Sequence, residues 1–592
     1  MCGINIIITT TNQPVKQALQ EMHGSTQYRG PDSSQTFEHN SEGWRIAIGV
    51  NRLQVVDRDE RSNQPMVSGC GNYVLAYNGE VYNYHDLKNQ LIAKDYVFKT
   101  HSDTEVVLYW LQEYGSKGLP DLKGMFALAF VDLSAGKVIV ARDKHGIKPL
   151  FYYQTSEMVI ISSSSKAIEV SGLVNLSLNN DALNDYLAYR YVVGNSTFYN
   201  EVNSHEPGVV TVYDNQLAAE SEKIKTSPHQ EERDLKSGLV DTLSLLFDAP
   251  TPPGLMLSGG VDSTLLLAIL QKELGLNGVN TFTLNTGVDS KWARKAAIQY
   301  DSNHHEISAT SDVLQSMDSF FNHTDQPIAD HGAFATWLVA REATQSSNVL
   351  LTGAGADELF GGYNRHRAYY YYLKYYQQNL FVAKFVKKTG IKWLLPNEAR
   401  QLLGGVEISP ITTYQNFLQN HGIIKSAHLE KFWDSPKSLK DNLQEALDFD
   451  RKNYLVNDVL SITDNSTLQH GVEARVPFLF DDIVNHADNT SLAEKMKSKG
   501  KGTLKDILKE YGGLKYTQRA KEGFGLPLGA WLREKKSNLL WEFLLHDSPL
   551  FEILPKSEIY QFLRLHQEGK RDYSMQLWSI LVLEKWLSRF YK

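Results

Sequence analysis

The 592 residues are 42% hydrophobic and 22% charged, an ordinary globular composition with length for about four domains. A net charge of −8 argues against the basic footprint of a nucleic-acid binder and favours small substrates. Two cysteines, Cys2 and Cys70, exclude a disulfide framework, and neither the opening MCGINIIITT nor any later run has the form of a signal peptide or the ~18 apolar residues of a membrane span, so a cytoplasmic protein is expected.

Residues 1 to about 210 alternate short β-rich runs (INIIITT, WRIAIGV, NYVLAYNGE, FALAFVD, KVIVARD, MVIISSS) with Gly, Asn and Asp turns. This pattern predicts packed antiparallel sheets with a few helices, among them Asp103 to Tyr114 and Asp181 to Tyr189. A strand starting at residue 3 would hold the amino terminus in place. Removal of Met1 would then leave a thiol and an α-amine on Cys2, with pKa values of about 8.5 and 8, so that one residue supplies both nucleophile and base.

In order along this region stand RGPD (29–32), NRLQVVD (51–57), QPM (64–66), YNGEVYN (77–83), SDTE (102–105), LKGMFALAF and RDKHGIKPLFY. Together they resemble the glutaminase domain of the class II amidotransferases, which implies the N-terminal nucleophile hydrolase αββα sandwich. The resemblance implies that Cys2 attacks the side-chain amide of glutamine. Asn78 and Gly79 would form the oxyanion hole, Arg52 would hold the substrate α-carboxylate, and Asp103 with Glu80 would take the α-ammonium. Taken singly, Asn78-Gly79 is also a hairpin turn pair and Asp103 also a helix cap. Arg29 and Pro31 are expected to shape a loop over the glutamine and to do no chemistry.

From Ala218 to Leu235 the chain is polar and charged and reads as a linker, dividing 1–210 from 236–592 with 211–235 between them. A helical pattern ends near Phe247. The next stretch, GLMLSGGVDSTLLL from Gly254, reads as a short buried strand, a glycine turn and a helix starting at Ser263-Thr264. Glycine-loop N–H groups and a helix N-terminus suit a phosphate, whereas Asp262 would repel one unless a divalent cation lay between them, so magnesium is implied. SGGVDS resembles the pyrophosphate loop of the ATP pyrophosphatases.

Further on, GVNTFTLNT and NVLLTGAGADELFGGY alternate with helical segments, which predicts a doubly wound, mostly parallel sheet with Asp262 and Asp357 facing one cleft at the strand ends. With DQPIADHGAF (325–334), GVEARVPFL (471–479), RAKEGFGLP (519–527) and the closing LWSILVLEKWLSRF, the second part resembles the synthetase domain of the asparagine synthetase family. That resemblance implies an adenine nucleotide alpha hydrolase-like fold, ATP as co-substrate and a carboxylate such as aspartate as acceptor. It implies ATP and pyrophosphate contacts from Leu257, Ser258, Gly259, Gly260, Asp262, Ser263, Thr352 and Gly353, magnesium on Asp262 and Asp357, and Lys521 beside the α-phosphate. No membrane or nucleic-acid partner is expected, and a homodimer is compatible with the resemblance. The final segment places Leu583, Trp586, Leu587 and Phe590 on one apolar stripe, and RHRAYYYYLKYYQQ (365–378) reads as a packed helix with a tyrosine-rich face.

Three positions depart from the family pattern in the region expected to see the acceptor. Ala354 stands where an acidic residue is common, Thr463 to Gly471 replace a methionine-containing stretch, and Phe480 replaces an aspartate, with Asp481 next to it. A different carboxylate, such as a sugar acid or a natural-product precursor, is therefore an alternative acceptor. Ring closure of the β-lactam type is disfavoured by the retained glutaminase residues, and a non-catalytic scaffold by the retained nucleophile and carboxylates.

Overall fold

The computed structural model describes residues 1–41, 43–225, 234–247, 252–309, 316–376, 378, 380–382, 384, 403, 405–425, 433, 438–519, 525–533 and 547–591. The first 223 residues carry β1 (Cys2–Thr9), β2 (Ser33–Ser41), β3 (Trp44–Arg52), β4 (Met66–Val67), β5 (Tyr73–Val81), β6 (Gly124–Asp132), β7 (Lys137–Arg142), β8 (Phe151–Gln154), β9 (Met158–Ser162), β10 (Asn203–Ser204), β11 (Val209–Tyr213) and β12 (Ala219–Lys223). They form two six-stranded sheets, β10-β8-β9-β1-β3-β2 and β12-β11-β7-β6-β5-β4, in which every pairing is antiparallel.

The period-2 alternation of a strand decides what each face touches. Ile4, Ile6 and Ile8 of β1 pack with Ile46, Ile48 and Val50 of β3 against Val74, Ala76, Ala127 and Ala129 of the opposite sheet, forming the sandwich core. Ile7 and Ala47 point the other way and meet Ala18, Leu19 and Met22 of the helix Val15–Ser25. On the second sheet, Leu75, Tyr77 and Val81 face the helix Asp103–Tyr114. Both faces of the central strands are thus covered, which is why INIIITT is a continuous apolar run and does not alternate. The result is the expected αββα sandwich.

The stretch expected to be a linker is partly sheet. β11 spans Val209–Tyr213, and β12 pairs with it from Val209↔Lys223 to Tyr213↔Ala219. β12 is exposed throughout and charged, the composition of a protected edge strand, so polarity alone could not distinguish it from a connection.

Beyond it, β13 (Gly254–Met256), β14 (Asn280–Asn285), β15 (Asn303–Ser308), β16 (Val349–Leu351) and β17 (Glu473–Arg475) form an all-parallel sheet in the order β15-β14-β13-β16-β17. The strand order reverses between β13 and β16, the crevice where such sheets bind ligands. The helix Val261–Lys272 that follows β13 is buried from Ser263 to Leu270, as an apolar-all-round helix must be. Each of its leucines contributes roughly 2 kcal/mol of burial. The helix Asn364–Lys374 buries Tyr369 and Tyr372, and Leu583, Trp586 and Leu587 are buried in the helix Ser574–Phe590, so both aromatic stretches serve packing. No helix among the described residues is long and apolar enough to cross a membrane.

The two halves share their cores. One cluster joins Ile7, Leu183 and Phe198 to Leu338, Trp578 and Trp586, and another joins Met1, Leu53 and Tyr82 to Leu468, Val476 and Phe478. Buried ion pairs cross the same boundary, with Asp464 accepting from Arg29 at 2.6 Å and from Lys148 at 3.3 Å. Arg29 is therefore a clamp between the halves, a position its own loop does not reveal.

Candidate active sites

Cys2 opens β1 opposite Arg52 at the end of β3, and its side chain is buried. Its backbone N–H donates to Asn78 Oδ1 at 3.0 Å. That bond commits Oδ1 and leaves Asn78 Nδ2 a buried donor without a hydrogen-bond partner. Asn78 and Gly79 lie inside β5, which excludes the hairpin alternative. At Gly79 a Cβ would overlap Met125 O on the neighbouring strand, so only glycine fits the ladder there. Burial pushes the Cys2 thiol up, while the amino terminus and Arg52 pull it down.

Arg52 Nη1 donates to Asn63 Oδ1 at 3.0 Å and Nη2 to Asp57 O at 2.5 Å, two neutral acceptors that hold the guanidinium without neutralising it. Asp103 begins its helix, but Ser102 does the capping, by accepting from Thr104 N. The Asp103 carboxylate instead accepts from Tyr77 Oη at 2.9 Å and Val81 N at 3.1 Å, and burial raises its pKa. Two residues of the quoted motifs gain a place that sequence reasoning did not assign. Tyr77 holds Asp103, and Gln64 accepts from Tyr77 N at 2.7 Å while its Nε2 lies 3.5 Å from Cys2 Sγ.

Glu80 is not left open for a ligand in this state. Its Oε1 pairs with Arg475 Nη2 at 2.6 Å, and Arg475 Nε also binds Glu473 Oε1 at 2.9 Å. All three groups are buried, and the Met1 ammonium lies 3.9 Å from Glu473 Oε2. Burial pushes the Glu80 carboxyl well up. Burial acts on Glu473 in the same direction, but Arg475 and the amino terminus hold that carboxyl down. The GVEARVPFL stretch thus reaches the first site from the second half of the chain. Its alternating Glu473 and Arg475 within an apolar run were the available signal.

The second site lies at the carboxyl ends of β13 and β16. Gly259 (φ +66°) has no room for a Cβ against Trp292 and Ala293, and Arg519 Nη1 donates to its carbonyl at 3.1 Å while pairing with Asp289. Ser258 and Ser263 hydroxyls meet at 3.1 Å, and Gly260 N donates to Ser258 Oγ at 3.3 Å. The helix starts at Val261, two residues before the expected Ser263-Thr264, because Gly260 is already extended. Asp262 therefore sits on the first helical turn and not in the loop. Leu257 is buried at the strand end, and Thr352 and Gly353 follow β16, where a Cβ on Gly353 would lie 3.1 Å from Asp262 Cβ. Asp357 is on the first turn of the helix Ala356–Phe360.

The cleft between these loops measures about 1030 Å³ and is lined by Ser258, Gly260, Asp262, Thr352, Gly353 and Asp357 with a rim of lysines and arginines. Asp262 and Asp357 do converge, and what they converge on is Lys501, whose Nζ lies 2.5 Å from Asp262 Oδ2 and 2.8 Å from Asp357 Oδ1. Burial opposes that ammonium, but the two carboxylates hold its pKa above the usual lysine value. Lys505, on the first turn of the helix Gly502–Glu510 that Lys501 precedes, is lowered to about 8 by burial and by Lys501. Neither was foreseen, although lysines at 501, 505 and 509 recur at the i, i+4 spacing. Lys521 lies outside the described residues.

A magnesium ion fits this donor set: both carboxylates reach one point, and Asp262 Oδ1 is buried without a hydrogen-bond partner. Among the described residues no third His, Cys, Asp or Glu joins them, so further ligands would come from phosphate oxygens and water. Of the three departures, Ala354 lines this cleft, as do Ile462 and Thr463 beside the second, whereas Phe480 does not. Phe480 stacks on Tyr82 with ring centroids 5.1 Å apart and lines a separate cavity between the halves.

Set beside known proteins, residues 1–223 match the glutamine amidotransferase domain family and residues 234–588 the asparagine synthase family. Asparagine synthetase (glutamine-hydrolyzing) 1 of Bacillus subtilis (strain 168) is 26% identical over 614 residues, covering 97% of this chain and 94% of that protein. Asparagine synthetase (glutamine-hydrolyzing) 3 of the same organism is 26% identical over 547 residues, with 86% and 84% covered. Amidase chry2 of Gibberella zeae is 25% identical over 414 residues, with 62% and 60% covered.

Proposed function

Because the chain belongs to the asparagine synthase family and carries a glutamine amidotransferase domain ahead of it, we propose that it amidates aspartate with nitrogen from glutamine, through an acyl-adenylate formed from ATP. Support for the first half comes from Asn78. With Oδ1 committed to Cys2 N, its Nδ2 is a buried donor awaiting a negative oxygen. Once Met1 is removed, the Cys2 amine takes the thiol proton, Sγ adds to the glutamine amide carbon, and the tetrahedral oxyanion is met by Asn78 Nδ2 and the Gly79 N–H. Collapse expels ammonia, and water cleaves the thioester to glutamate. Arg52 orients the α-carboxylate of glutamine, and Asp103, with Glu80 once it leaves Arg475, the α-ammonium.

In the second half the acceptor carboxylate attacks the α-phosphorus of ATP and pyrophosphate departs. Ammonia then adds to the acyl carbon and AMP leaves. The observation that carries this reading is that Asp262 and Asp357, from the first turns of the helices that follow adjacent strands, reach a single cation. These two residues would hold a magnesium ion, which when bound neutralises charge on the polyphosphate. The Ser258–Gly260 turn and the N-terminus of the helix Val261–Lys272 receive the leaving pyrophosphate, with Ser263, Thr352 and Gly353 shaping the cradle and Leu257 backing it. The family resemblance would add Lys521, outside the described residues, as a cation for the α-phosphate.

A second acceptor class has its own support. Ala354 presents a methyl group to the cleft where the family resemblance leads one to expect a carboxylate, so the pocket lacks a polar handle there. A sugar acid or natural-product carboxylate is then the substrate in place of aspartate. Pyrophosphate release across a panel of carboxylic acids, aspartate first, with glutamine as the nitrogen source, separates the two. Glutamine-dependent amide from aspartate supports the first reading. No product from aspartate, with product from another acid, overturns the acceptor and leaves the reaction class standing.

A further inference from the structure

Lys501 occupies the point to which the two cleft carboxylates are directed, and its side chain is only 6% exposed there. Its backbone is costly to hold. Ser498, Lys499, Gly500 and Lys501 have φ values of 56°, 66°, 95° and 57°, four consecutive left-handed residues of which three carry a Cβ. Such a run persists only where its surroundings over-determine it. Lys501 N donates to Phe360 O at 3.0 Å, and a Cβ on Gly500 would overlap Gly361 O. At Gly362 a Cβ would overlap both Asp357 Oδ1 and Lys501 Cε. The glycines of FGGY and of SKGK are therefore fitted to one another so that this ammonium can reach these carboxylates.

A divalent ion and an ammonium cannot share the same oxygens, since like charges repel strongly in a partly buried site. A displaced Lys501 also needs an anion to receive it. Among the described residues, the other carboxylates lining the cleft already have partners, Glu358 accepting from Tyr363 Oη at 2.5 Å and Asp330 from Gly332 N at 2.7 Å, and Lys499, Lys505, Lys509 and Arg367 are cations. A polyphosphate supplies that anion. We propose that Lys501 fills the cation position of the nucleotide cleft while it holds no nucleotide, so that the divalent ion enters only together with ATP, whose phosphates take the lysine in exchange. The proposal rests on the reading of Asp262 and Asp357 as ligands of a divalent cation.

Manganese binding to the full chain, followed by the electron paramagnetic resonance of free Mn2+, tests this without any turnover. If Lys501 holds the position in all but about one molecule in a hundred, the apparent affinity for the ion falls about a hundredfold. Without nucleotide, wild type and D262N should therefore give superimposable titrations, and K501R should behave as wild type. K501Q should gain a site at least about tenfold tighter that D262N in the same background removes. With a non-hydrolysable ATP analogue, wild type should acquire an Asp262-dependent site. Nucleotide-free wild type binding Mn2+ as tightly as K501Q, or through a site that D262N abolishes, overturns the proposal alone. Should K501Q not fold, the wild-type, D262N and K501R titrations still decide. Absence of any Asp262-dependent Mn2+ in every variant, with and without the analogue, overturns the metal reading and the proposal with it.

Discussion

Replacing Asn78 by aspartate separates the two jobs the side chain does. The shape and the acceptor for Cys2 N at 3.0 Å are kept, whereas the partnerless donor Nδ2 becomes an oxygen. Losing one oxyanion donor costs about 100- to 1000-fold in kcat, or about 3–4 kcal/mol, and a carboxylate facing a developing oxyanion drives N78D to the upper end of that range. N78A loses the acceptor as well and leaves the buried Cys2 N–H unpaired, which costs an additional 1–3 kcal/mol or so of stability. Glutamate release from glutamine is the assay, with amide formation from ammonium salts as the control for an intact second site. Expected for N78D is a collapse of glutamate release with unchanged ammonium-dependent synthesis. Glutamate release within about threefold of wild type would refute the assignment of Nδ2 to the oxyanion.

C2A should abolish the use of glutamine and leave ammonium usable; equal activity with both nitrogen sources would refute the division of labour between the halves. R475M should destabilise the chain by about 3–5 kcal/mol in denaturant titrations, because Glu80 and Glu473 lose their shared buried cation, and an effect under about 1 kcal/mol would show that the pair is solvated. Burial, with Asp357 beside it, pushes Glu358 up to about 7 from an ordinary 4.5. A raised folded pKa contributes stability that is complete below the unfolded value and is lost as pH rises through the folded one. Stability should thus fall by roughly 3 kcal/mol between about pH 4.5 and 7.5 in wild type, and E358Q should remove that slope; parallel profiles would count against it. G362A, whose Cβ would overlap Asp357 Oδ1 and Lys501 Cε, should lose ATP-dependent pyrophosphate release while retaining glutaminase activity, and normal pyrophosphate release would show that the FGGY turn is not fitted to Lys501.

Local pattern carried much of this fold. Strands β1, β5 and β14, the helices Asp103–Tyr114 and Ser574–Phe590 and the loops after β13 and β16 fall where periodicity and glycine placement put them. Errors arose where one composition serves two structures. A charged edge strand reads like a linker at 219–223, and a helix that follows Gly260 has no side-chain cap to mark its start. Phe480 looked like a change in the acceptor pocket, yet it stacks on Tyr82 at the boundary between the halves.

The amino-acid sequence by itself determined the chemistry available: a cysteine at position 2, an Asn-Gly pair, a glycine loop before a helix and two aspartates after apolar runs. These are legible because each depends on neighbours within a turn or a strand. Which charges neutralise which was decided only by the tertiary structure. Lys501 meets Asp262 across 239 residues, and Arg475 meets Glu80 across 395. No local periodicity encodes such pairings, because an ion pair is selected by the burial and convergence of whole sheets, and those exist only once the chain has folded.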